Sequence, residues 1–184
     1  MGEKYLWKAL RAGLKSGYDG SSWEIGKWRK LKGVTKICVG FNGCERIVVA
    51  LSYVRMEILA RVEVRGQHII AGDKQTWQEM RVTEAWEWPK EESVRLAIFA
   101  AEMVIEVYER KYPNDDRPRK AIGAAKAWLE NPSADAAYAA DAAYAAADAA
   151  DADDAAYAAY ADDALAKIEA YIQSRIPLLK RIES

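Results

Sequence analysis

Residues 80–108 read MRVTEAWEWPKEESVRLAIFAAEMVIEVY, and the hydrophobic period changes within them. Met80 to Trp86 closes a strand-rich stretch, and Pro89, which has no backbone N–H to give a ladder, ends it. Beyond it Val94, Ala97, Ile98, Ala101, Val104, Ile105 and Tyr108 recur three or four apart, which is one apolar face of a helix. Glu91 and Glu92 suit the first turn of that helix and Arg110 and Lys111 its last, since the helix dipole favours acids at the start and bases at the end. Strands before Pro89 and helices after it predict an α+β protein. The expected division is a strand-rich part, 1–88, packed on a helical part, 89–184.

Upstream, Tyr5 to Ala9 reads as a short strand, and Gly13, Gly17 and Gly20 mark turns. Lys36 to Val39 reads as a strand, Gly40 to Gly43 as a turn, and Glu45 to Tyr53 as a short helix with Ile47, Ala50, Leu51 and Val54 on one side. Leu59 to Val64 alternates apolar and polar, which predicts a strand with one wet face. Gly66 and Gly72-Asp73 read as turns around another short strand at His68–Ala71. Downstream, Pro113 stops the first long helix, and a second runs from Arg117 to Leu129 with Asp115 or Asp116 as its cap. Asn131-Pro132-Ser133 is a helix-start pattern, because proline at the first helical position loses no needed donor. The third helix, 133–175, would end before Pro177 and reach on the order of 60 Å if unbroken.

The 184 residues carry 27 basic and 28 acidic side chains, a net charge of −1 that hides an asymmetry. Nine acids lie between Glu130 and Asp163 with no Lys or Arg among them, so the rest of the chain has an excess of eight positive charges. Ala dominates residues 134–164 and favours helix, because it loses no side-chain entropy. At about 100° per residue, Asp141, Asp148, Asp151 and Asp162 fall on one side with Tyr144, while Tyr138, Tyr157, Tyr160 and Tyr171 fall opposite. The tyrosine stripe suits packing on the preceding helices or a docking surface. The candidate partner contacts are Asp141, Asp148, Asp151, Asp153, Asp154, Asp162 and Asp163, with Tyr144. Self-association into a homodimer through this helix stays open.

No run of about 18 apolar residues exists, so no membrane-spanning helix is expected, and no apolar leader follows the N-terminus. A cytoplasmic setting is expected. Cys38 and Cys44, with the single His68, lack the partners that a zinc site needs. His68 beside Ile69-Ile70 reads as a structural strand residue, and no nucleophile motif accompanies it. The glycines at 13, 17 and 20 form no phosphate loop. No catalytic residue, metal or cofactor is expected. Lys27, Arg29, Lys30, Lys32 and Lys36 beside Trp23 and Trp28 form a weak nucleic-acid footprint, less favoured than a solvated loop over two core tryptophans.

Two stretches resemble known families. Gly40-Phe41-Asn42-Gly43-Cys44, followed by Ala50–Val54, Leu59–Val64, Gly66, Asp73-Lys74 and Met80-Arg81, is similar to small domains common in phages and prophages. Asn42 stands where that pattern usually has His. Asp115–Ile122 with Ala127-Trp128-Leu129 and the Ala-rich segment resembles a helical module of phage proteins and of bacterial proteins predicted to confer immunity. The resemblance implies a non-enzymatic phage inhibitor that binds a bacterial defence protein or nucleoprotein complex, an anti-CRISPR acting by steric occlusion or nucleic-acid mimicry. Two alternatives stand beside it. One is an immunity protein that neutralises a toxin. The other is a transferase-like enzyme using a cleft near Asn42 and Glu63.

Overall fold

The computed structural model describes residues 4–53, 56–132 and 156–183. The fold is α+β, with an antiparallel sheet in the N-terminal part and helices in the C-terminal part. Two units emerge, Met1–Trp88 with Ile172–Ser184, and Pro89–Tyr171. The last residues of the chain, from Ile172, thus group with the sheet.

The first unit contains β1 (Lys4–Leu10), β2 (Arg29–Lys30), β3 (Phe41–Cys44), α1 (Ile47–Tyr53), β4 (Ile58–Ala71) and β5 (Lys74–Glu87). β4 and β5 are a long hairpin that turns at Gly72-Asp73, with Gly72 at φ +56. A positive φ at the first central residue is what a type II′ hairpin turn requires. β1 pairs β4 on the edge away from β5, and β3 joins β1 to β5, so the pairings run in a closed ring. The unit is therefore a small barrel, with β2 added on β5. Closure removes most of the exposed edge that an open sheet would carry.

Period-2 alternation fills the barrel. Leu6, Leu10, Ile58, Ala60, Val62, Val64, Met80 and Val82 form one buried cluster with Trp23, Phe41 and Trp77. Gly43 sits where an added Cβ would come within 3.1 Å of Leu6, so β3 passes over β1 without a side chain at that point. The C-terminal residues extend the edge of β5. Glu87 N–H donates to the Lys180 carbonyl at 2.9 Å, Ile182 N–H donates to Ala85 at 2.9 Å, and Ile182 packs on the core.

Three sequence expectations change here. Lys36–Val39 is not a strand, and the expected turn Gly40–Gly43 lies almost wholly in β3. Cys38 takes a left-handed backbone, φ +66, and its N–H is held by Thr76 Oγ1 at 3.0 Å instead of by a ladder. Gly66 does not end a strand. It sits at an irregularity inside the 14-residue β4, between Arg65 and His68, with φ +85. A bulge lets a strand bend around a tight barrel, and glycine tolerates the backbone it needs.

The second unit holds α2 (Lys90–Lys111), α3 (Arg117–Glu130) and most of α4 (Ala156–Arg175). Val94, Ile98, Ala101 and Ile105 of α2 bury against Ile122, Ala125 and Trp128 of α3. Phe99 of α2 stacks on Tyr171 of α4 with centroids 4.3 Å apart. The tyrosine stripe thus contributes at least one packing residue. The expected helix 133–175 is seen as Ala156–Arg175, and 133–155 lie outside the described residues.

Candidate partner surface and the barrel seam

Of the acidic stripe, Asp141, Tyr144, Asp148, Asp151, Asp153 and Asp154 lie outside the described residues. Asp162 is in α4, and its side chain is outside the described set as well. Asp163 is exposed and pairs with Lys167 one turn on, at 2.6 Å. Such an exposed i,i+4 pair stabilises a helix by only a few tenths of a kcal/mol, so it leaves Asp163 ready to exchange partners.

The α2–α3 connection is held by charge-assisted bonds. Asp115 accepts from the Tyr108 hydroxyl at 2.8 Å and from Arg117 Nε and Nη2 at 2.8 and 2.6 Å. Arg117, then Tyr108, holds the Asp115 carboxyl well below the usual carboxylate range. Asp116 occupies the cap position of α3, yet it is Asp115 Oδ1 that takes the Arg117 N–H, at 3.1 Å. Glu109 clasps Arg119 through two bonds, at 2.5 and 2.6 Å, and Lys126 reaches Glu102 at 2.5 Å. Lys111–Arg117 line an open depression of about 590 Å³ on this unit.

Two of the five cations in the basic cluster are paired with acids inside the barrel unit. Lys27 pairs with Glu24 at 2.9 Å and Lys30 with Glu79 at 3.0 Å. Trp28 lies under the Arg65 guanidinium, 3.9 Å from its centroid, and under Arg81 at 4.9 Å. Lys32 and Lys36 are exposed. Cations already neutralised on their own surface are less available for phosphates than the sequence alone implied.

The chemistry-bearing residues are dispersed. His68 stacks on Trp77, centroids 4.1 Å apart, and its Nδ1 faces the Gly66 carbonyl at 3.3 Å. Cys44 is buried, and burial pushes its thiol up to about 11, so it is neutral at pH 7. Exposed Cys38 has Lys74 Nζ 3.6 Å from its sulfur. Asn42 Oδ1 accepts from Thr76 at 2.6 Å, and Glu63 is buried against Arg81. Asn42 and Glu63, expected to share a cleft, are each tied to a neighbour on β5. Among the described residues no group of three His, Cys, Asp or Glu could hold a metal ion.

One residue escaped the sequence reading. Lys8 shares its strand face with Leu6 and Leu10, so its stem enters the barrel. β1 and β3 pair only at Trp7 and Cys44. Across the seam beyond that pair, Lys8 Nζ donates to the Asn42 carbonyl at 2.9 Å and lies 5.3 Å from the Trp23 ring centroid. Burial, with the Arg29 charge adding to it, pulls Lys8 down to about 8. The alternation Leu6-Trp7-Lys8-Ala9-Leu10 carried this signal, since a period of two places Lys8 on the apolar side.

Among the described residues no helix is long and apolar enough to cross a membrane. No curated protein and no solved structure matches the chain. Residues 84–174, from the end of β5 to the end of α4, match the model of the Imm-5 like putative immunity protein family.

Proposed function

We propose that this chain is an immunity protein: it binds one toxin and blocks it. The single observation that carries the reading is the match of residues 84–174 to an immunity-protein family model. That span takes in all of α2 and α3 and most of α4, together with the acidic segment between α3 and α4. The charge layout supports the same reading. A segment with nine acids and no bases carries the charge that complements a basic toxin, and charge complementarity speeds encounter and selects the partner. Asp141, Asp148, Asp151, Asp153, Asp154, Asp162 and Asp163, with Tyr144, are the proposed contacts. An inhibitor of a bacterial defence complex would use the same acids, but no separate observation favours that target.

The test is growth rescue. Toxin domains encoded beside this chain's gene are expressed from an inducible promoter, alone and together with the chain. Growth restored against one toxin and no other, with the two proteins copurifying, is the expected result. No rescue and no copurification with any neighbouring toxin would overturn the reading.

A further inference from the structure

The barrel seam holds two cations with no acidic partner. Neither Lys8 nor Arg29 has a carboxylate within ion-pair distance among the described residues. Lys8 has one acceptor, the Asn42 carbonyl. Arg29 donates through Nη1 to Ser21 Oγ at 3.0 Å and to the Ser22 carbonyl at 3.3 Å. Its Nε and Nη2, the edge that grips a carboxylate through two parallel bonds, have no partner among the described residues. Both cations lie against one indole, with Arg29 Cζ 4.5 Å and Lys8 Nζ 5.3 Å from the Trp23 centroid. Phe41 meets Trp23 edge-on at 5.2 Å and lies under the same guanidinium.

The indole supplies the second, independent observation. Trp23 is 4 % exposed, and its Nε1–H is the one buried side-chain polar atom without a hydrogen-bond partner among the described residues. Buried polar groups in folded proteins are bonded, and an orphaned donor calls for an acceptor that the chain does not provide. The neighbouring groups offer none. Cys44 is a neutral thiol at pH 7. Asp19 acts on Lys8 from beyond ion-pair distance, and its Oδ1 is turned to the N–H and hydroxyl of Ser21, at 3.1 and 2.7 Å. A half-buried cation without a counter-charge costs stability, and so does an unmet buried donor. One acceptor-only group with negative charge answers both.

We propose that the Lys8, Arg29 and Trp23 cluster at the seam between β1 and β3 is a binding site for a carboxylate. The open Nε–Nη2 edge of Arg29 matches two carboxylate oxygens, Lys8 adds charge, and Trp23 adds one N–H. The Trp23 and Phe41 rings lie against the guanidinium, and a singly charged carboxylate costs less to desolvate beside them than a dianion does, so phosphate is disfavoured. The carboxylate belongs either to a free small acid or to an Asp or Glu side chain of a partner.

The experiment titrates the full chain, labelled with nitrogen-15, and reads the indole N–H signals. The Trp23 signal is the one absent in Trp23→Phe. Three probes are added separately: sodium acetate, the blocked peptide acetyl-Ala-Glu-Ala-amide, and inorganic phosphate at matched ionic strength. The expected result is a saturable downfield shift of the Trp23 signal with a carboxylate probe, weakened at least tenfold in Lys8→Met. Tighter binding of acetate assigns the site to free acids, and tighter binding of the peptide assigns it to a partner's side chain. No shift with either carboxylate, or a shift with phosphate alone, overturns the proposal. Because Lys8→Met could perturb packing, Arg29→Lys serves as the second variant. It keeps the charge and removes the fork, so it is expected to weaken binding; unchanged binding in it would also overturn the proposal.

Discussion

At the scale of single residues, Lys8 makes the sharpest prediction. Its pKa is lowered from 10.5 to about 8 in the folded chain, chiefly by burial. The unfolded chain then binds more protons than the folded one between those values, so stability rises as pH climbs through that window. Below it the whole cost is present. Lys8→Met removes the cost, and at pH 7 it is expected to be more stable than the native chain by about 1 kcal/mol. By pH 10 that difference closes, as urea denaturation at the two pH values would reveal. Asp115 shows the opposite sign. Its folded pKa is depressed by Arg117 and Tyr108, so its contribution is full above the ordinary carboxylate range and is lost only as pH falls through the folded value, well below that range. Asp115→Asn is expected to lower the melting temperature at pH 7 and by only a little less near pH 3, the difference closing in stronger acid.

At the scale of elements, β3 is where sequence and structure diverge, and the reason is physical. Gly40 and Gly43 look like turn residues. The chain uses them for close approach instead. A Cβ on Gly40 would lie 2.6 Å from Thr76 Cγ2 and 3.2 Å from the Trp77 carbonyl, and one on Gly43 would crowd Leu6. Local propensity cannot distinguish a glycine that bends the chain from one that lets two strands touch. Gly40→Ala is therefore expected to destabilise the barrel by roughly 1–3 kcal/mol. It should also break the Thr76–Asn42 bond, which chemical denaturation and the Asn42 side-chain amide signal would report. The helices were more legible. The three-and-four spacing of Val94, Ile98, Ala101 and Ile105 is the buried face of α2, because an amphipathic period survives whatever lies opposite it. The Lys8 seam was legible only in part. Strand alternation puts Lys8 inside, but Trp23 comes from a loop and Arg29 from the two-residue β2, whose paths no local pattern encodes.

At the scale of the whole molecule, the sequence divides near Pro89 into a stretch that forms a sheet and one that forms helices, and it concentrates acid in one segment of the second. The change of period told the fold class, since strands and helices differ in nothing more basic than their repeat. The partner was less legible, because alanine and aspartate repeats carry little more than helix propensity and charge. Under the proposed function that charge serves toxin recognition. Reversing Asp141, Asp148 and Asp151 to Lys is expected to abolish toxin binding with no loss of melting temperature, and the native complex should weaken as salt shortens the screening length below about 8 Å.

The most direct measurement titrates a fixed amount of the rescued toxin with this chain and follows the toxin's own activity. A blocking immunity protein gives a linear fall that ends at one chain per toxin, and activity returns when the complex is dissociated with salt. Loss of activity at a small fraction of that ratio, persisting after separation, would mean that the chain modifies the toxin catalytically, and would contradict the account.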